Sequence, residues 1–181
     1  GMTDVAKETN DKKLKNACKK LWENLTQKRM YITGGIGPTH HNEGFTFDYD
    51  LPNETAYAET CASIALANWA HRMFHLEPNS EYIDVLERAI YNGILSGLNL
   101  KGDRFFYSNR LAALPKEIEV NPHGFNLERQ PWFDVACCPT NIVRFLPSIP
   151  GFIYSKNKTS VSINLYIQSK VVIDLNGHRL T

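Results

Sequence analysis

No run of apolar residues in this 181-residue sequence approaches the ~20 that a membrane span requires, so no membrane partner is expected. Charge of one sign is equally scarce. The formal net charge is +1, which offers no basic face to nucleic acid and no acidic excess of the kind that keeps a chain disordered. The start, Gly1-Met2-Thr3-Asp4, lacks the charged-then-apolar layout of a signal peptide, which tilts the expectation toward an intracellular location. Gly1 ahead of Met2 reads as the scar of a removed expression tag. Cysteine is too thin for a secreted disulfide scaffold: there are four, with Cys18 and Cys61 alone and Cys137 and Cys138 adjacent. Neighbouring cysteines rarely close a bridge on each other, so reduced thiols in a metal or catalytic site fit this usage better. What remains is an ordinary globular composition, 43% hydrophobic and 22% charged, long enough for one domain and part of a second.

Periodicity then divides the chain. Leu14, Ala17, Cys18, Leu21, Trp22 and Leu25 recur at three- and four-residue steps and predict a helix from about Asn10, its N-cap, to Met30. Cys18 falls on that apolar stripe and reads as a buried inert thiol. The run Thr33-Gly34-Gly35-Ile36-Gly37-Pro38 breaks the pattern; it lacks the lysine and hydroxyl of a phosphate loop and reads as a tight turn. A second helix is predicted from about Thr60 to His75, with Ala62, Ala65, Leu66, Trp69, Ala70 and Met73 on one face and Pro78 as its stop. A third starts near Ser80 and carries Val85, Leu86, Ala89, Ile90 and Ile94 before Gly97. Arg104 to Ser108 is aromatic-rich and strand-like, and Pro115, Pro122 and Pro131 punctuate a long loop. Pro139 opens a short helix through about Leu146. Phe152 to Tyr154, Val161 to Ile167 and Val171 to Leu175 read as β. Helices first and strands last predict a mainly α chain with a C-terminal β part.

Glu59, Cys61, Cys137 and Cys138 are the strongest site candidate. Thiolates and a carboxylate can complete a tetrahedral shell around a metal ion. Glu59 and Cys61 stand two apart, so they converge only where the chain is still extended, at the start of the second helix. Cys138 precedes Pro139, and proline favours the first helical position; Cys138 is therefore expected at the cap and Cys137 just outside it, where the helix dipole favours thiolate. By spacing alone the set stays open between a metal site and buried apolar cysteines, because no Cys-x-x-Cys pair is present.

Several stretches carry more specific information: Arg29-Met30-Tyr31-Ile32-Thr33-Gly34-Gly35-Ile36-Gly37, Asn42-Glu43-Gly44-Phe45, Leu51-Pro52-Asn53, Ala56-Tyr57-Ala58-Glu59-Thr60-Cys61-Ala62, and Cys137-Cys138-Pro139-Thr140-Asn141 with Arg144. Together and in this order they resemble glycoside hydrolase family 127, the β-L-arabinofuranosidases and their relatives. The resemblance implies a zinc ion (Zn2+) held by Glu59, Cys61, Cys137 and Cys138, with Cys137 as nucleophile and Glu43 as general acid/base. It implies retaining hydrolysis of β-L-arabinofuranosides in an arabinose-containing oligosaccharide or glycan. A retaining glycosidase needs one group to attack the anomeric carbon and another to protonate the leaving oxygen, and a zinc-held thiolate can replace the usual second carboxylate.

Members of that family are several times longer than this chain, with an (α/α)6 barrel followed by β-sandwich material. The resemblance therefore implies the second half of the barrel over residues 2–150 and the start of a β-sandwich over 151–181. Half a barrel leaves apolar faces such as Leu21 and Trp22, or Trp69 and Met73, without their neighbours, and a homo-oligomer is expected. The alternative is a zinc-binding fragment without catalysis; redox sensing by the vicinal thiols is a weaker reading, since no resolving cysteine is near. His40 and His41 read as a solvated loop pair, Trp132 and Phe133 as core or sugar-stacking residues, and Tyr57, Asn141 and Arg144 as walls of the site.

Overall fold

A computed structural model describes residues 1–113 and 128–181, and the expectations at Pro115 and Pro122 lie outside the described residues. The chain divides into two compact units, Gly1–Ile142 and Val143–Thr181. The first is helical. It begins with α1 (Met2–Thr9), which the sequence reading did not anticipate, and α2 (Lys12–Lys28). Asn10 is not the N-cap of α2. It closes α1 in the left-handed conformation at φ 53°, and the N-cap is Asp11, whose carboxylate accepts from the amides of Lys13 at 2.7 Å and Leu14 at 3.2 Å. Asparagine tolerates the left-handed region and so ends one helix as readily as it starts another.

Helix α3 (Thr60–Leu76) starts from an extended Glu59 and ends ahead of Pro78. Its buried face is rotated from the expected one: Ser63, Ile64, Leu66, Ala67, Ala70, Met73 and Phe74 are buried, while Ala65 is exposed. Helix α4 (Ser80–Arg88) is capped by Asn79 and continues into a π-helical turn, Ala89–Ile94, and a 3-10 turn, Leu95–Gly97. The single helix expected here is thus regular only in its first half. Two glycines explain how tightly the widened turn is held. A Cβ on Gly34 would lie 3.0 Å from the Ala89 nitrogen, and one on Gly93 would lie 2.8 Å from Ser63 Oγ. The π turn therefore sits wedged between the Gly34 turn and α3.

The core joins α1, α2, α3 and α4. Trp22 is packed edge-on against Trp69 at 5.3 Å and against Tyr82 at 4.9 Å. Trp69 Nε1 donates to Thr3 Oγ1 at 2.9 Å, which ties α1 over the pair. This corrects the expectation of bare helix faces: Trp22 and Met73 are buried within the chain, and of the residues named there only Leu21 is exposed. Arg104 to Ser108 forms no strand; it makes isolated bridges, Leu98 with Phe105, Phe105 with Gln130, and Glu59 with Ser108.

Helix α5 (Cys137–Phe145) runs across the boundary of the two units. In the second unit, Phe152 and Ile153 belong to a short helix, α6 (Pro150–Ile153), rather than to a strand. Strands β1 (Tyr154–Lys156) and β2 (Val161–Ile163) pair antiparallel with Tyr154 opposite Ile163. Strands β3 (Ile173–Leu175) and β4 (His178–Leu180) form a separate hairpin. Its turn, Asn176-Gly177, has φ of 53° and 82°, the doubly left-handed geometry that suits the twist of a two-residue hairpin. The strands are shorter than the apolar runs suggested, because Leu165 is buried without any strand partner. The architecture is mainly helical with small C-terminal antiparallel sheets.

Candidate active site and metal centre

The site is assembled at the N-terminus of α3. Ala58 is fully buried and adopts φ of 36°, a left-handed value that is costly for a residue with a side chain. It is held there by its amide bond to the Gly37 carbonyl at 2.9 Å and by its own carbonyl, which accepts from the Asn109 amide at 3.2 Å and Nδ2 at 3.0 Å. Gly35 has no side chain because a Cβ there would meet the Ala58 methyl at 3.1 Å. The segment around Tyr107 is laced to the same place: Thr60 donates its amide to the Tyr107 carbonyl at 3.0 Å and its hydroxyl to the Phe106 carbonyl at 2.9 Å.

Into this frame α5 brings its two cysteines. Cys137 is the first residue of α5, one position inside the helix rather than outside its cap, and Cys138 is fully buried. The Thr140 hydroxyl donates to the carbonyls of both Ala136 and Cys137 at 2.9 Å, within the first turn of the helix. Cys61 Sγ lies 3.5 Å from Cys138 Sγ, and Cys137 Sγ lies 3.8 Å from Cys138 Sγ. Glu59 Oε1 is 3.4 Å from Cys137 Sγ and 3.6 Å from Cys138 Sγ. All four ligand atoms fall within 4.8 Å of one another. Around a tetrahedral ion with metal–sulfur bonds of about 2.3 Å, neighbouring sulfurs stand about 3.8 Å apart, so the spacing fits a metal ion.

Electrostatics points the same way. The Cys61 thiol is shifted down, since its hydrogen bond with Cys138 outweighs the burial that opposes ionisation and Asn141 adds a second bond. Burial pushes Cys137 up to about 11, and Cys138 is raised by its bond with Cys61 and by burial. These surroundings favour one thiolate, and a cation held between the four groups would favour ionisation of the others.

Two tyrosines connect the cluster to Glu43. Tyr107 Oη is 3.0 Å from Cys137 Sγ, and the Tyr57 hydroxyl donates to Glu43 Oε1 at 3.1 Å. Tyr57 and Tyr107 lie with ring centroids 6.2 Å apart. Burial keeps both phenols well above their ordinary range, so both remain protonated donors. Glu43 itself is exposed, on a 3-10 turn, His41–Glu43, whose Asn42 and Glu43 both have positive φ. The loop that follows is pinned to the end of α2 by Arg29 and Lys28, which pair with Asp48 at 2.5 and 2.8 Å.

The structure thus brings Glu59, Cys61, Cys137 and Cys138 together and sets Glu43 at the far side of the tyrosines. Tyr57 and Asn141 touch the site, as expected of walls. His40 and His41 are exposed and are not among the clustered ligands. Phe133 is buried against Phe105 and Tyr107, whereas Trp132 is exposed. Arg144 is exposed and belongs to the second unit. Tyr107 was missed: the alternating aromatics Phe105 and Tyr107 pointed to strand packing and gave no sign of a thiol partner.

The chain is similar to known proteins in both sequence and fold. The family model of the β-L-arabinofuranosidase GH127 catalytic domain matches residues 1–151. A non-reducing end β-L-arabinofuranosidase of Bifidobacterium longum subsp. longum is 44% identical over 158 residues, covering 86% of this chain and 24% of the relative. The crystal structure of Ara127N-Se, a GH127 β-L-arabinofuranosidase from Geobacillus stearothermophilus T6, superposes with a TM-score of 0.92 at 47% identity, covering 98% of this chain and 28% of that one. The GH127 β-arabinofuranosidase BT3674 gives 0.88 at 43% identity, with 98% and 26% covered. The chain spans about a quarter of the length of these relatives. On this match of sequence and fold, the chain belongs to glycoside hydrolase family 127.

Proposed function

We propose that this chain is the catalytic-core segment of a retaining glycoside hydrolase that cleaves β-L-arabinofuranosides from an arabinose-containing oligosaccharide or glycan. In this reading residues 2–150 form part of an (α/α)6 barrel and residues 151–181 open a β-sandwich. The observation that carries it is the convergence of Glu59, Cys61, Cys137 and Cys138 within 4.8 Å, beside a carboxylate, Glu43, that the tyrosines hold nearby. The three sulfurs and one oxygen favour zinc among the common ions, since soft thiolates at tetrahedral spacing select it over magnesium or calcium. Glu59, Cys61, Cys137 and Cys138 would hold the ion, and a zinc ion there would keep the cysteine sulfur ionised at neutral pH.

The residues divide the work. Cys137 Sγ attacks the anomeric carbon while Glu43 gives its proton to the leaving oxygen, so one C–O bond breaks as one S–C bond forms. Glu43, now a carboxylate, takes a proton from water, whose oxygen attacks the same carbon and releases Cys137. Glu59, Cys61 and Cys138 hold the metal and with it the position of Cys137. Tyr107 steadies the Cys137 sulfur through their 3.0 Å contact.

The test is hydrolysis of an aryl β-L-arabinofuranoside by the wild type, Cys137→Ala and Glu43→Gln, with zinc measured on the same preparations. Turnover that survives Cys137→Ala would discard the thiolate mechanism. The isolated chain is expected to act feebly, because positioning supplies much of a glycosidase's rate and about 1 Å of misplacement costs roughly a hundredfold. Stoichiometric zinc without turnover, even at the length of the family relatives, would leave the chain as a metal-binding segment instead.

A further inference from the structure

Resting on the role proposed for Glu43, we propose that Tyr57 is the positioning residue of the general acid/base. Its hydroxyl holds Glu43 Oε1 and so reserves Oε2 as the oxygen that carries the proton into and out of the reaction. The two partners are unequal in rigidity. Glu43 is exposed on a short turn whose Asn42 and Glu43 have φ of 59° and 47°, and an exposed glutamate samples several rotamers. Tyr57 is 2% exposed, lies beside the Tyr107 ring, and precedes Ala58, whose backbone is bonded to Gly37 and Asn109. A fixed donor therefore meets a movable acceptor, at 3.1 Å.

The chemistry of a carboxyl group makes the choice of oxygen matter. A protonated carboxyl has one carbonyl-type oxygen that accepts well and one hydroxyl oxygen that donates. A phenol aimed at Oε1 favours the form with the proton on Oε2. In the first step the Oε2 proton passes to the leaving oxygen as the C–O bond breaks and Cys137 Sγ bonds the anomeric carbon. The carboxylate left behind keeps its Tyr57 bond, now charge-assisted and stronger. In the second step Oε2 takes the proton of the attacking water as the S–C bond breaks. The contribution of Tyr57 is to fix the plane in which Oε2 faces the substrate.

The experiment uses the zinc-loaded enzyme at the length of its family relatives and two substrates, 2,4-dinitrophenyl and methyl β-L-arabinofuranoside. Only kcat/KM is compared, since it reports the first bond cleavage. General acid catalysis contributes about a hundredfold or more where the leaving group is poor and little where it departs unaided. Tyr57→Phe, which removes one hydroxyl and keeps the ring, is expected to lose about ten- to a hundredfold on the methyl glycoside and less than about twofold on the dinitrophenyl glycoside, with zinc retained. Glu43→Gln is expected to show the same selectivity, more deeply. Loss equal on both substrates, or none on either, in Tyr57→Phe while Glu43→Gln remains selective overturns the inference and leaves the role of Glu43 standing. An unselective Glu43→Gln overturns both. Should Tyr57→Phe fail to bind zinc, fluorotyrosine at position 57 keeps the ring and strengthens the donor. An unchanged ratio between the two substrates in that protein also overturns the inference.

Discussion

At the scale of single residues, the cysteines fall into two environments. Cys18 is fully buried in α2 with the Thr3 hydroxyl 3.5 Å away, and it is not among the residues clustered as possible metal ligands. Cys61, Cys137 and Cys138 share one small space with Glu59. One zinc per chain is expected by elemental analysis of a chelator-free preparation; Cys61→Ser should lose it and Cys18→Ser should keep it. Retention by Cys61→Ser would remove the proposed ligand set. The candidate set was legible in the sequence through the family resemblance that its Glu-Thr-Cys and Cys-Cys-Pro motifs carry, whereas spacing alone left it open between a metal site and buried apolar cysteines. The local geometry was less so. Helix α5 begins at Cys137, and a proline-based rule places a helix start only to within a residue or two. The tyrosine links were invisible for a different reason: Tyr57 and Tyr107 reach their partners across 14 and 30 residues of chain, and pairing at such range leaves no periodic trace.

Among the elements, helices with one clear apolar stripe were readable and their ends less so. Alternation over Val161 to Ile167 promised a longer strand than forms, since a solitary hairpin gives its outer residues nothing to pair with. The π turn at Ala89–Ile94 had no signature, because it arises from what presses on it. Gly93→Ala would set a methyl 2.8 Å from Ser63 Oγ, so a loss of about 1–3 kcal/mol is expected in denaturant unfolding. Ser63 Oγ is buried and has no hydrogen-bond partner among the described residues, so Ser63→Ala should be neutral or slightly stabilising in the same assay. Helix α3 also carries a pH response. His71 meets His75 through ring nitrogens 2.9 Å apart, and burial, with His75, Arg72 and Lys7 beside it, lowers His71 to about 4. The unfolded chain takes up that proton near the ordinary value of 6.5, before the folded chain does. Stability therefore falls as pH drops from about 6.5 toward 4. Thermal unfolding of His71→Gln should show a smaller drop than the wild type across that window; an equal drop would assign the response to other groups.

For the whole molecule, self-association is expected despite the burial of Trp22 and Met73, because Ile32, Phe47 and Trp132 remain exposed at 82%, 72% and 60%. Light scattering that reports a monomer over a wide concentration range would overturn this. One more property follows from where the ligands lie along the chain. Glu59 and Cys137 touch in the fold yet stand 78 residues apart in sequence. A ribosome adding about 5–20 residues per second leaves roughly 4–16 s between the emergence of the first ligand and the last. Throughout that interval Cys61 has been synthesised and Cys137 and Cys138 have not. The four-ligand centre is completed only after α3 and α4 have been synthesised.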